Sequence, residues 1–329
     1  MHKILIGYDG SSRGEDALAL GRVLADAVET PTVVVANVYD ALIPKNGRGE
    51  PSLREQRLQA EAEELLDGVR RRLPDAAEWG LRAVRGTSPS AGLHRLASEG
   101  DFDVIVVGAS HRHGLGRIFG GSATEQTLMG SPRAVAVAPP GYADRAGEGA
   151  LRRIGLAYDG STEARQALAL AAELARGSAA MVVAIDVADT VGPPLVDAYG
   201  YGSYADDMLE LASQHLDGAE RELWRHGIER IEIKRPEGRA AHELIAATEQ
   251  LDLLVLGSRS HGPSLRVLLG SVSTAVVRDA ACPVLLHPRS AAPDEPAAAS
   301  DHAHSAIAAG ERSTAPDGAR SVPDVAATT

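Results

Sequence analysis

Two aspartates, Asp9 and Asp159, stand in the same tetrapeptide, Tyr-Asp-Gly-Ser, at Tyr8–Ser11 and Tyr158–Ser161. Each closes a short apolar run, so each carboxylate falls where a strand ends. A carboxylate there can hold the hydroxyls of a ligand, or close an Asx turn and cap the following helix. A second constellation is also duplicated. Gly108-Ala109-Ser110-His111 is followed after nine residues by Gly121-Ser122-Ala123-Thr124, and Gly257-Ser258-Arg259-Ser260 after nine by Gly270-Ser271-Val272-Ser273. Glycine at a strand end lets a ligand approach the backbone closely. Gly-Ser opening a helix leaves amide N–H groups at the positive end of the helix dipole, an arrangement that holds phosphate without a cation. The hydroxyls of Ser122, Thr124, Ser271 and Ser273 add donors beside the backbone of Ala123 and Val272. The same loops carry Arg112, His113 and Arg117, and Arg259, His261 and Arg266. These form either a cationic rim around a triphosphate or an ordinary solvated surface.

The elements that position these residues repeat as well. ILIGYDGSSRGEDALAL at 4–20 matches IGLAYDGSTEARQALAL at 154–170, an offset of 150. VIVVG at 104–108 matches LLVLG at 253–257, an offset of 149, which places a one-residue loss in the turn after the first helix. In the first copy, strands are expected at Ile4–Tyr8, Thr32–Val38, Leu81–Val84, Val104–Val107 and Ala134–Ala138. Helices are expected at Asp16–Val28, Leu53–Leu73, Ala91–Ala97 and Ser122–Met129. The second copy repeats the order through Val284–His287. Strands alternating with helices imply right-handed βαβ units around a parallel sheet, five strands per copy. In such sheets ligands sit beyond the carboxyl ends of the strands, where strand order reverses. Domains are expected at residues 1–140 and 151–289, with a Gly-rich linker at 141–150. The Ala/Pro/Asp-rich segment 290–329 lacks apolar periodicity and is expected to be disordered.

Composition excludes several classes. The 329 residues carry a net charge of −12 and a pI near 5.4, against a nucleic-acid-binding surface and against an acidic membrane as partner. No apolar stretch is long enough to span a bilayer, and Met1-His2-Lys3 runs straight into a strand, so the expectation is a soluble cytoplasmic protein. Cys282 is the one cysteine, which rules out an internal disulfide and a CxxC motif. It aligns with Arg133 and reads as a buried structural thiol. His302 and His304 read as incidental, so no metal site is expected. Trp79, Trp224 and the tyrosines Tyr199, Tyr201 and Tyr204 fit a loop over the site or, more readily, an ordinary surface.

A strand ending in Asp-Gly-Ser, followed after the fourth strand by a G-x2-G-x9-G-[ST] pattern, resembles the universal stress protein family over about residues 1–289. The resemblance implies an α/β fold of two doubly wound five-stranded parallel sheets, order 3-2-1-4-5, of the adenine nucleotide alpha hydrolase-like type. It implies pairing of the two domains within one chain along the fifth strands, with a homodimer of the fused pair a further option. It implies ATP as ligand, and a bound triphosphate would usually bring Mg²⁺ with it. Asp9 and Asp159 would contact the nucleoside, and Val38 and Val187 would offer backbone to the adenine. Gly108, Gly121, Ser122 and Thr124 would hold the phosphates, as would Gly257, Gly270, Ser271 and Ser273. The chain departs from the pattern at its second glycine, which is His111 in one copy and Ser260 in the other. These side chains either close the pocket or contact phosphate themselves. The implied role is nucleotide-dependent regulation, through an unidentified protein partner, in stress or dormancy, by binding and not by rapid catalysis. Two alternatives stay open. One is a nucleotide-independent interaction module on the same fold. The other is a slow ATPase or adenylyl-transfer enzyme, disfavoured because the Ser-Gly-Gly-x-x-Ser and G-x4-G-K-[ST] loops are absent.

Overall fold

The computed structural model describes residues 1–40, 52–73, 77–109, 123–146, 149–190, 201–258, 267 and 269–288. In the first copy the strands are β1 (Lys3–Gly7), β2 (Thr32–Asp40), β3 (Gly80–Gly86), β4 (Val104–Gly108) and β5 (Ala134–Ala138). Between them run the helices α1 (Ser12–Asp26), α2 (Leu53–Arg72), α3 (Pro89–Glu99) and α4 (Ala123–Leu128). A short α5 (Tyr142–Ala146) leads to the second copy: β6 (Arg153–Ala157), α6 (Thr162–Ser178), β7 (Met181–Ile185), α7 (Tyr201–Arg225), β8 (Ile231–Lys234), α8 (Ala240–Ala247), β9 (Leu253–Gly257), α9 (Ser271–Asp279) and β10 (Val284–His287).

The central strands are Val/Ile/Leu runs because both of their faces are covered. Ile4 and Ile6 pack into a core beneath α1 and α2, while Leu5 between them faces a second core with Leu93 of α3 and Leu128. Helix starts are set by side chains that bond the orphan amides of the first turn. Ser11 accepts from the Gly14 amide at 3.4 Å and Ser161 from the Ala164 amide at 3.2 Å. Ser52 and Glu55 close a reciprocal capping box at α2.

Each copy has strand order 3-2-1-4-5, as expected, and the fifth-strand pairing that the resemblance implied joins the two sheets into one. The order is β3-β2-β1-β4-β5-β10-β9-β6-β7-β8, parallel throughout except at the centre. There β5 and β10 pair antiparallel, with Val135 opposite Leu286 and Val137 opposite Val284. A strand buried on both faces and left with a bare edge invites pairing, and each copy supplies the edge the other lacks. The seam extends beyond the sheet. The Gly130 amide donates to the Val267 carbonyl at 2.8 Å, and the Val267 amide to the Ser131 carbonyl at 3.0 Å. Helices α1 and α6 meet so closely that a Cβ on Gly177 would lie 1.9 Å from the Ala27 carbonyl oxygen. The amino group of Met1 pairs with Glu173.

The one-residue loss lies where the offset places it. Lys3 pairs with Thr32 in the first copy and Arg153 with Met181 in the second. The shorter turn leaves α6 through Ala179 in a left-handed conformation, φ 54°. The expected linker is not featureless. Asp16 of α1, 2% exposed, accepts from the Gly141 and Ala143 amides at 3.0 and 2.8 Å and so starts α5. Its cap comes from 125 residues away, beyond what a local composition can show. The tail expected to be disordered, residues 290–329 with His302 and His304, lies outside the described residues.

Candidate functional site

Beyond the carboxyl ends of β1, β2 and β4 lies a cleft whose lining includes Asp9, Arg13, Asn37, Val38, Gly108 and Thr124. This is the point where strand order reverses, between β1 and β4, and it brings together residues that are up to 115 positions apart (Asp9 to Thr124). The rest of the first-copy set, His111, Gly121 and Ser122, lies outside the described residues, with Arg112, His113 and Arg117.

Asp9 closes the turn between β1 and α1. Its Oδ1 accepts from the Ser11 amide at 3.0 Å and from the Ser11 hydroxyl, and its Oδ2 lies 3.4 Å from the Arg13 guanidinium. Gly10 follows at φ 76°, a left-handed conformation that glycine adopts without strain. The backbone preceding the turn is pinned from β2, since the Asn37 side-chain amide donates to the Tyr8 carbonyl at 2.8 Å. Val38, next along β2, lines the cleft half-buried.

Gly108 has a packing reason that the sequence does not show. A Cβ there would lie 2.1 Å from the Arg13 carbonyl oxygen, because the first turn of α1 sits on the end of β4. Gly257 is held the same way by Glu163, whose backbone atoms would stand 2.6 and 2.7 Å from an added Cβ. The Thr124 hydroxyl, expected to be a phosphate donor, donates to the Gly108 carbonyl at 2.7 Å and ties α4 to the strand end. Ser273 does likewise within its own turn, donating to the Gly270 carbonyl at 3.2 Å. Gly270 itself is the N-cap of α9, extended at φ −78° and ψ 175°, and has no side chain with which to cap the helix. The amides of Ser271 and Val272 therefore open the helix without an acceptor from the N-cap residue, the feature that suits an anion.

In the second copy Asp159 repeats the turn, its Oδ1 accepting from the Ser161 amide at 3.0 Å. Val187 corresponds to Val38, but it lies two residues beyond the end of β7, whereas Val38 is within β2. Ser260 and the cationic loop residues Arg259, His261 and Arg266 lie outside the described residues. Here the surroundings change. Asn37 is replaced by Asp186, which cannot donate to a carbonyl and instead accepts from His215 Nδ1 of α7 at 2.8 Å. Burial pushes the Asp186 carboxyl up, opposed by the bond from His215. His215 packs beneath Gly160, where Leu65 packs beneath Gly10 in the first copy.

A charge exchange lies behind the site. The buried stripe Ala62, Leu66 and Val69 of α2 corresponds to Ala212, Leu216 and Ala219 of α7, which aligns Arg72 with Glu222. In the first copy Tyr8 donates to Glu15 at 2.6 Å, and Arg72 donates to both Glu15 and Tyr8 at 2.9 and 2.7 Å. In the second copy Tyr158 is flanked by Arg165 and Glu222, the same pair with the signs reversed. Burial, then the neighbouring glutamate, pushes the Tyr8 phenol up; burial, then Glu222, does the same at Tyr158. Asn37, Arg13 and the Asp186–His215 pair are the site neighbours that motif reading misses. Laying the two copies side by side at offsets of 149 and 150 would have flagged them as positions where an otherwise repeated set changes charge.

Cys282 is 5% exposed, and burial pushes its thiol up to about 12, an inert structural cysteine. Tyr201 and Tyr204 belong to the first turn of α7, not to a loop before it, while Tyr199 lies outside the described residues. Trp224 is exposed on the same helix, and Trp79 packs against the core under α1 and α2. Among the described residues, no cluster of His, Cys, Asp and Glu is placed to hold a metal ion, and no helix is long and apolar enough to cross a membrane.

Comparison with known proteins agrees with this architecture. The Universal stress protein family matches residues 1–139 and again 150–288. A universal stress protein of Mycobacterium tuberculosis is 26% identical over 296 residues, covering 87% of this chain and 99% of its own. One from Thermus aquaticus is 32% identical over 141 residues, 40% of this chain and 94% of its own length. Among solved structures, a universal stress protein from Archaeoglobus fulgidus superposes with a TM-score of 0.61 at 20% identity, covering 88% of this chain and 97% of that one, a likeness of fold.

Proposed function

We propose that this chain, which belongs to the universal stress protein family, binds an adenine nucleotide at the cleft between β1 and β4 and acts as a regulator through that binding. The observation that carries the reading is the convergence of Asp9, Val38, Gly108, Ala123 and Thr124 on one cleft at the reversal of strand order. The nucleoside would lie against Asp9 and the backbone of Val38. The phosphates would lie toward Gly121, Ser122 and Ala123, with His111 beside them. In the second copy the corresponding set is Asp159, Val187, Gly257, Ser260, Gly270, Ser271, Val272 and Ser273. ATP, with Mg²⁺ accompanying it in solution, fits the family resemblance, and in the second copy the start of α9, whose N-cap Gly270 has no side chain, suits a phosphate. Binding is favoured over turnover because the cleft's described acid, Asp9, is already engaged by Ser11 and Arg13 and serves to hold a turn. The domains would be residues 1–140 and 151–289, working in the cytoplasm in a response to stress or dormancy.

The test is calorimetric titration of ATP with Mg²⁺ into the full chain, beside Gly121→Val. Saturable binding that the substitution removes is the expected result. No heat and no melting shift at millimolar ATP would refute the reading and leave the fold as a nucleotide-independent interaction module.

A further inference from the structure

The first copy's cleft and the corresponding positions of the second copy are built on one plan but differ in charge. In the first copy the charged residues among the described lining are Asp9 and Arg13, and β2 contributes the neutral Asn37, so the formal charges −1, +1 and 0 cancel. The corresponding positions of the second copy are Asp159, Glu163 and Asp186, formally −3. The correspondence is structural as well as sequential. Arg13 stands over the end of β4 against Gly108, and Glu163 stands over the end of β9 against Gly257. Asn37 and Asp186 occupy the residue after Ala36 and Ile185, whose carbonyls accept from the Tyr8 and Tyr158 amides at 2.9 Å each. By sequence the loops that follow β4 and β9 carry two arginines each, Arg112 and Arg117 against Arg259 and Arg266. The backbone lock differs too. Asn37 donates to the Tyr8 carbonyl beside Asp9, whereas Asp186 turns to His215 and has no amide with which to do the same.

We propose that the copies are functionally unequal: the first takes the polyanionic nucleotide, and Arg13 and Asn37 against Glu163 and Asp186 are the residues that decide it. This rests on the reading that the chain binds an adenine nucleotide. A triphosphate carries several negative charges, so a cleft more negative by three formal charges, all within a Debye length, binds it about 10- to 100-fold more weakly after screening. The second copy keeps a helix start suited to an anion at Gly270, but it takes the triphosphate more weakly than the first.

The experiment titrates ATP with Mg²⁺, and in parallel adenosine, into the full chain at low and at physiological ionic strength. One ATP per chain is expected. Arg13→Gln should weaken that site, Arg13→Glu should weaken it further, and the loss should shrink as salt rises. Glu163→Arg with Asp186→Asn should create a second ATP site, and thermal melts of each variant confirm that it is folded. Two equivalent ATP sites in the unaltered protein would overturn the inequality while leaving nucleotide binding intact. So would one site indifferent to Arg13→Glu, or a folded Glu163→Arg/Asp186→Asn variant without a second site. No uptake of ATP by any variant would overturn the binding reading and the inequality with it.

Discussion

Replacing Gly108 by alanine separates two reasons for a glycine at the end of β4. The added methyl would lie 2.1 Å from the Arg13 carbonyl oxygen, 2.8 Å from its carbonyl carbon and 2.9 Å from its Cα. Ordinary contacts begin near 3.4 Å, so α1 must retreat from the strand by about 1 Å or more. The obstacle is helix backbone that also carries the Asp9 turn and packs on β1, so it cannot swing aside as a flexible side chain would. Overpacking of this kind costs about 1–3 kcal/mol, and for a unit of this size each kcal/mol lowers Tm by about 2–4 °C. Thermal melts of the nucleotide-free protein should therefore show Gly108→Ala destabilised by several degrees, with Gly257→Ala similar because Glu163 backbone atoms stand 2.6 and 2.7 Å away. Gly218→Ala supplies the opposite sign. It lies inside α7 with nothing within 4 Å of the new methyl, and a helical alanine should stabilise by about 0.5–1 kcal/mol. A Gly108→Ala protein that melts like the unaltered one yet no longer takes up ATP would refute the packing argument and return the glycine to a purely ligand-contacting role.

Two further outcomes follow from named contacts. Glu15→Arg should destabilise the first copy, and adding Arg72→Glu, which recreates the arrangement of Arg165 and Glu222, should recover most of the loss; because Glu15 and Arg72 are 37% and 54% exposed, the coupling in a double-mutant cycle should be about 0.5–1 kcal/mol, read from urea midpoints. Burial pushes the Asp103 carboxyl up, but the His2 and Lys3 amides more than offset it and hold it below its ordinary value of 3.8, so its stabilisation is present above that value and lost as pH falls through the folded one: Asp103→Asn should lower Tm at pH 7 and make progressively less difference below about pH 4, and a deficit that persisted unchanged to pH 2 would contradict this.

The sequence determined the repeat, the alternation of strands and helices, and the positions where strands end. Those features are local, since apolar runs, N-cap serines and Gly-containing turns act through neighbours a few residues away. It also determined which residue types stand at the strand ends and in the first turn of the helix that follows the fourth strand, because Asp9, Gly108 and Thr124 have counterparts in Asp159, Gly257 and Ser273. Tertiary structure decided how those residues are used. Gly108 is required by the backbone of Arg13, and the Thr124 hydroxyl is taken by the Gly108 carbonyl, contacts that exist only once α1 and α4 pack on β4. It set the register of the fifth-strand pairing that the resemblance implies, because only the folded copies bring the bare edges of β5 and β10 together, antiparallel, in one sheet. It also turned the expected linker into a capped helix, since Asp16 reaches Gly141 and Ala143 through space and not along the chain. The unequal charge of the two clefts lies between these cases. Every residue of it is written in the sequence, but only the fold shows that positions 13 and 37 line one cleft and that 163 and 186 hold the corresponding places, over β9 and after β7, where a charge is close enough to a ligand to matter.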